Sequence, residues 1–130
     1  MFRLWRRKEK TRQELGRIGE AHAARYLASR GYRIRERNFR AAAGEVDIVA
    51  EHDGLLAFIE VKARSSERFG GPSESVTSWK RARIAQVADA YIAAREGRER
   101  AMRFDIVEVF LTPRGRVERI DLRQGAFARE

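Results

Sequence analysis

The chain has 130 residues, 43% of them hydrophobic, which suits one domain with its own core and is too apolar for wholesale disorder. It carries 28 Lys and Arg against 19 Asp and Glu, a formal net charge of +9, which favours a polyanionic partner such as nucleic acid or an acidic membrane surface. With no cysteine, disulfides and thiolate zinc sites are excluded, and the composition suits a reducing compartment; the expected location is cytoplasmic.

Residues 1–10 read as a basic arm ahead of one domain covering residues 11–130. No apolar stretch follows the arm, so no secretory signal is expected, and no apolar run reaches the length of a transmembrane segment. Phe2, Leu4 and Trp5 lack the sustained amphipathic pattern of a docking helix. Thr11-Arg12-Gln13-Glu14 has the capping-box pattern that starts a helix. Leu15, Ile18, Gly19, His22, Ala23, Tyr26 and Leu27 continue it at helical spacing, and Gly31 stops it.

Residues 32–39 predict a strand and residues 40–44 a loop. Residues 44–50 and 55–62 are apolar runs of strand length, and Asp53-Gly54 between them is a two-residue hairpin signal. Residues 64–75, with Ser65-Ser66, Gly70-Gly71 and Pro72, predict a loop. A second helix is expected from Thr77 or Ser78 to Gly97, with Ile84, Val87, Ala88, Tyr91 and Ile92 as its apolar stripe. Residues 102–111 predict a strand with Phe104 and Ile106 on one face and Val107 and Val109 on the other. Pro113-Arg114-Gly115 is a turn, and residues 117–122 a short last strand. The helical crossover permits a parallel pairing of the third and fourth strands, while the first three can form an antiparallel meander.

If Asp53-Gly54 is the turn, the register follows. His52 faces Leu55, Val49 faces Phe58, Asp47 faces Glu60 and Glu45 faces Lys62. Alternation then places Glu45, Asp47, Glu60 and Lys62 on one face, with Val46, Ile48, Ile59 and Val61 on the other. Like charges directly opposed destabilise a sheet, so Asp47 against Glu60 calls for a compensating partner. A divalent cation is one, since hard cations take oxygen ligands. The pattern also fits a solvated sheet face, with Glu45 and Lys62 as an ion pair and the other two carboxylates in water. Apolar neighbours on both faces toward the turn argue instead for a covered strand pair, where unpaired charge is costly.

Asp47, twelve residues and then Glu60-Val61-Lys62 match the D-x(n)-E-x-K spacing of metal-dependent nucleases. Five blocks carry a wider resemblance: Gly16-Arg17-Ile18-Gly19-Glu20-Ala21, Gly44-Glu45-Val46-Asp47-Ile48-Val49, Phe58-Ile59-Glu60-Val61-Lys62-Ala63-Arg64, Phe69-Gly70 and Arg103-Phe104-Asp105-Ile106-Val107. In their order and spacing the chain resembles the small bacterial YraN-like proteins. These are similar in turn to archaeal Holliday-junction resolvases and to the restriction-endonuclease-like PD-(D/E)XK superfamily.

The resemblance implies an α/β fold with an α-β-β-β-α-β core, a mixed sheet flanked by helices. It implies Asp47 and Glu60 as ligands of Mg²⁺ or Mn²⁺, helped by the Val61 carbonyl. Lys62 would orient or activate the attacking water, and Glu20 would be an outer acidic residue at a second metal or its water. Val46 stands where the superfamily's title has proline, a position that varies widely. Glu45 is either a ligand or a partner that holds Lys62, and Glu20 by spacing alone fits a solvated helix face.

Lys80, Arg81 and Arg83 open the second helix, where cations are unfavourable unless phosphates bind there; a solvated basic face fits equally. Arg64 and Arg68, at the start of the glycine-rich loop, are candidates to touch nucleic acid or a second subunit. His22 and His52 form no zinc pattern. The expected activity is metal-dependent phosphodiester hydrolysis on nucleic acid, DNA first, with branched DNA and a two-fold homodimer suggested by the resolvase likeness. The alternative is a nucleic-acid-binding protein that kept the fold and does not cleave.

Overall fold

The computed structural model describes residues 9–65 and 77–127. Helix α1 spans Arg12–Ser29, followed by strands β1 (Arg33–Ala41), β2 (Gly44–His52) and β3 (Leu55–Arg64). Helix α2 (Ser78–Arg95) leads to β4 (Met102–Leu111) and β5 (Val117–Phe127). This is the expected α-β-β-β-α-β core with one further strand. The five strands form one sheet in the order β1-β2-β3-β4-β5. β3 and β4 are parallel and every other neighbouring pair is antiparallel. The parallel pair requires a crossover connection, which α2 supplies.

Each helix covers one face of the sheet. Leu15, Ala23 and Leu27 of α1 pack with Ile48, Ile59, Val107 and Val109. Ile84, Val87, Ala88 and Tyr91 of α2 pack with Val49, Phe58 and Phe104. Burial on both sides explains the unbroken apolar run Leu55–Ile59 of β3. The Thr11 capping box is formed, with Thr11 N–H donating to Glu14 Oε1 at 2.8 Å and Glu14 N–H to Thr11 Oγ1 at 3.1 Å. Thr77 caps α2 by accepting the Lys80 N–H at 3.2 Å.

Two boundaries differ from expectation. The loop expected at residues 40–44 contracts to a tight turn, because Arg40 pairs with Glu45 and Ala41 with Gly44. The alanines there carry no turn signal. The last strand continues to Phe127, although Gln124 and Gly125 look like turn residues. It is held by the Gly125 N–H on Asp105 Oδ1 at 2.9 Å and by Phe127 stacked on Phe104 at 4.8 Å.

The first eight residues of the arm lie outside the described residues, as do 66–76, which hold Arg68. The arm's last residue is tied down: Lys10 N–H donates to the Pro113 carbonyl at 2.8 Å. Among the described residues no helix is long and apolar enough to cross a membrane.

Candidate functional site

The site begins at the β2–β3 turn. Asp53 and Gly54 have φ of 53° and 77°, the paired left-handed conformations of a type I′ turn. Pairing then runs from His52–Leu55 through Val49–Phe58 to Ile48–Ile59, in the expected register. There it ends. One step further the Asp47 carboxylate, through Oδ2, accepts the Val61 N–H at 2.7 Å.

Glu45 does not pair with Lys62, as the register extended from the turn required. It pairs with Arg40 across β1 and forms an ion pair with it at 3.4 Å. Nor do Val46 and Ile48 share a face. Val46 packs on the α2 side and Ile48 on the α1 side, so β2 turns over between them, at Asp47. β1 turns over alongside: Arg37 is bonded to α1 and Phe39 packs under α2, with Asn38 between them at φ 56°. The two strands twist together, and the β2–β3 ladder opens where they do.

The opening leaves two carboxylates close together in a poorly hydrated place. Burial pushes Asp47 up to about 6; Glu20 and Glu45 push the same way and the Val61 N–H opposes them. Glu60 is pushed up to about 8, by burial first and the Asp47 charge second, with Lys62 and Lys80 opposing. The Lys62 charge acts on both carboxylates, favouring their ionised forms.

Glu20 is carried to this end of the sheet by α1. A Cβ at Gly19 would lie 3.1 Å from Ala63 Cβ, so the helix approaches β3 closely only because residue 19 is glycine. Glu20 Oε1 accepts from Asn38 Nδ2 at 2.8 Å and from Arg37 Nη2 at 3.1 Å. The left-handed Asn38 thus fixes both the strand twist and the orientation of Glu20.

A cleft of about 250 Å³ opens beside Glu60, lined also by Gly44, Glu45, Lys80 and Arg83 over an apolar floor of Ile84 and Val87. The three cations at the start of α2 divide here. Lys80 and Arg83 line the cleft, whereas Arg81 lies over the Phe127 ring at 5.5 Å, toward β5. Arg64 Nε donates to Glu108 Oε2 at 3.1 Å on the neighbouring strand.

Among the described residues no three His, Asp or Glu side chains are grouped to hold a metal by themselves. The donors that the resemblance implies are the Asp47 and Glu60 carboxylates and the Val61 carbonyl. An all-oxygen set of this size fits Mg²⁺ or Mn²⁺ better than zinc, because Mg²⁺ keeps several waters and is commonly held by one or two carboxylates plus substrate phosphate.

Two features were not foreseen from the sequence. Trp79 is 65% exposed, with the Arg83 guanidinium over its ring at 4.6 Å. On the α1 side, Asp105 is fully buried at the centre of a polar network. Arg103 grips it with two bonds of 2.8 and 2.9 Å, and the Tyr32 hydroxyl donates to it at 2.8 Å. Tyr32 also accepts from Gln124 at 2.8 Å and stacks on His52 at 4.0 Å. Burial, with the Asp105 charge adding to it, pushes the Tyr32 hydroxyl up to about 12. The Arg-Phe-Asp block is the outward sign of this network, which joins β1, β4 and β5.

The fold and the spacing of the site define an α/β chain with the D-x(n)-E-x-K arrangement on an opened hairpin. The family model described as "Uncharacterised protein family UPF0102" matches residues 19–109, and the chain belongs to that family. This is the YraN-like family of the resemblance. A UPF0102 protein of Moorella thermoacetica is 48% identical over 117 residues, 90% of this chain and 98% of its own. Relatives in Symbiobacterium thermophilum and Myxococcus xanthus are 44% and 41% identical over 115 and 116 residues, covering 88% and 89% of this chain and 97% and 90% of their own.

Proposed function

We propose that the chain is a Mg²⁺- or Mn²⁺-dependent phosphodiesterase that cuts nucleic acid, DNA being the expected substrate. One observation carries the reading: Asp47 and Glu60 are both raised by burial where the β2–β3 ladder opens, the Asp47 charge raising Glu60 further, with the Lys62 charge acting on both. A sheet that needed only stability would not keep this pair.

Asp47, Glu60 and the Val61 carbonyl are the residues that would hold the metal. When bound, the metal supplies Lewis-acid neutralisation of phosphate charge and a more acidic water. The rest falls to the chain's own residues. Lys62 orients the attacking water and donates to the phosphate oxygen on which charge builds. Lys80 and Arg83 bind the phosphates on either side of the cut bond. Glu20, held by Arg37 and Asn38, takes the outer acidic position.

A second reading, a nucleic-acid binder that does not cut, draws on the net charge of +9, which suits a polyanionic partner whether or not it is hydrolysed. A cleavage panel separates the two. Single-stranded, duplex, flap and four-way-junction DNA are incubated with Mg²⁺ or Mn²⁺ beside an Asp47→Asn control. Metal-dependent products from wild type alone support hydrolysis. A wild type that cuts nothing in the panel overturns it in favour of binding.

A further inference from the structure

Trp79 is the single large hydrophobic side chain exposed among the described residues, and it stacks with Arg83, which lines the cleft. Trp79 and Arg83 are four apart on α2 and so share a helix face. Arg83 is braced from several sides. Its Nε donates to the Ala43 carbonyl in the β1–β2 turn at 2.9 Å, and its guanidinium lies over the indole at 4.6 Å. The turn makes room for it: Gly44 sits at φ +148°, and a Cβ there would lie 2.8 Å from Arg83 Nη2. The result is a flat aromatic surface fixed to a cation that itself lines the cleft holding Glu60.

We propose that Trp79 and Arg83 form a seat for one unpaired nucleobase beside the bond to be cut, so that the site takes nucleic acid with a single-stranded nucleotide at the cleavage point. This rests on reading the cleft as the phosphodiester site. Within a continuous duplex the base faces are already stacked on one another, and only edges reach the grooves. An exposed indole next to phosphate-binding cations is of use to a base whose face is free. Stacking of that kind is tolerant of sequence, because every base presents a π-face, and a guanidinium adds a cation–π contribution. Arg83, which lies over the indole and lines the cleft with Lys80 and Glu60, sets the register: a base on Trp79 puts its own phosphate at Arg83 and Lys80.

The test measures binding without metal, independently of cleavage. In a Trp5→Phe background Trp79 is the sole indole, since the chain has two tryptophans. The probes are oligothymidylate, a blunt DNA duplex, and the same duplex carrying a single-stranded tail. Oligothymidylate and the tailed duplex quench Trp79 fluorescence. Trp79→Ala, made in the otherwise native chain, weakens both by about 10-fold, Trp79→Phe by much less, and neither changes affinity for the blunt duplex. No quenching by any probe, or an equal loss on the blunt duplex, overturns the seat. An enzyme that cuts blunt duplex as well as tailed DNA overturns it too, and leaves the phosphodiesterase reading standing. Quenching by a protein that never cuts does the reverse.

Discussion

The Asp47 carboxylate accepts the Val61 backbone N–H at 2.7 Å, just past the last paired residues of β2 and β3. Asp47 is therefore both a hydrogen-bond acceptor and half of a repelling pair. Asparagine keeps an acceptor oxygen and drops the charge; alanine loses both. Metal-free Asp47→Asn should melt at or above the wild-type temperature and lose most of the rise that Mg²⁺ or Mn²⁺ gives the wild type by linkage. Asp47→Ala should lose about 1–3 kcal/mol, the cost of leaving the Val61 N–H unpaired. Thermal melts with and without metal check both. A metal-free Asn variant melting far below wild type would remove the charge-repulsion argument on which the site rests.

The same pair sets a pH dependence. Both carboxylates are raised on folding, so between their unfolded and folded values the native state holds more protons than the unfolded one. Stability then falls as pH rises. For the metal-free protein the contribution is fully present below about pH 4 and is lost progressively up to about pH 8. Glu60→Gln should flatten the profile, most in its upper part. Denaturant melts across that range decide it; a Gln variant with the wild-type slope would assign the dependence elsewhere.

Much of this was legible in advance, because it depends on local chemistry. Asp53-Gly54 dictated a turn, the turn dictated a register, and the register held through Ile48–Ile59. It failed at Asp47 and Glu45 because period-two alternation assumes a regular ladder, and the twist at Asn38 and Asp47 breaks it. Asn38 tolerates φ 56°, but nothing nearby in sequence announces that it will be used. Trp79 is one more helix residue in the sequence, since the Arg83 that stacks on it is fixed by the Ala43 carbonyl, 40 positions before Arg83. Asp105 entered only as a member of the Arg103-Phe104-Asp105-Ile106-Val107 block; its partner Tyr32 lies 73 residues away. Contacts of that range leave no period to find.

Lys62 separates chemistry from binding. Its charge acts on the two carboxylates, and one lysine is a small part of a chain with 28 basic residues. Lys62→Ala should lower the cleavage rate by about 10²–10³, the usual loss when one donor to a developing oxyanion is removed. Its affinity for the same DNA in the absence of metal should stay near wild type. Single-turnover rates and metal-free titrations give the two numbers. A variant that binds far more weakly would make Lys62 an anchor for the substrate.

The division among the first cations of α2 predicts unequal salt effects. Nucleic-acid affinity should fall steeply with salt, as cationic contacts release condensed counterions. Lys80→Ala and Arg83→Ala, which alter the cleft, should each reduce the salt slope by about 1. Arg81→Ala should leave the slope unchanged, because Arg81 lies over Phe127. Affinity measured over a salt series distinguishes the three, and an equal effect of Arg81 would mean the bound strand runs across β5.

The Asp105 network should behave as a structural anchor. Asp105 lies in register with Ile59, next to Glu60, and binds Arg103, Tyr32 and the Gly125 N–H. Those partners come from the first, fourth and fifth strands or their edges, so the carboxylate joins parts of the sheet that no single ladder connects. Removing it strands a largely buried guanidinium. Asp105→Ala should therefore cost about 3–5 kcal/mol, as breaking a buried charge pair does. Tyr32→Phe leaves the Arg103–Asp105 fork intact and removes one hydroxyl, so its cost should be nearer 1–3 kcal/mol. Because both variants remove Tyr32–Asp105, the double variant should cost less than the sum of the two. Urea melts of the three proteins measure this directly. Additive costs would mean that Tyr32 and Asp105 act separately, and that the hydroxyl is held in place by Gln124 and the His52 ring.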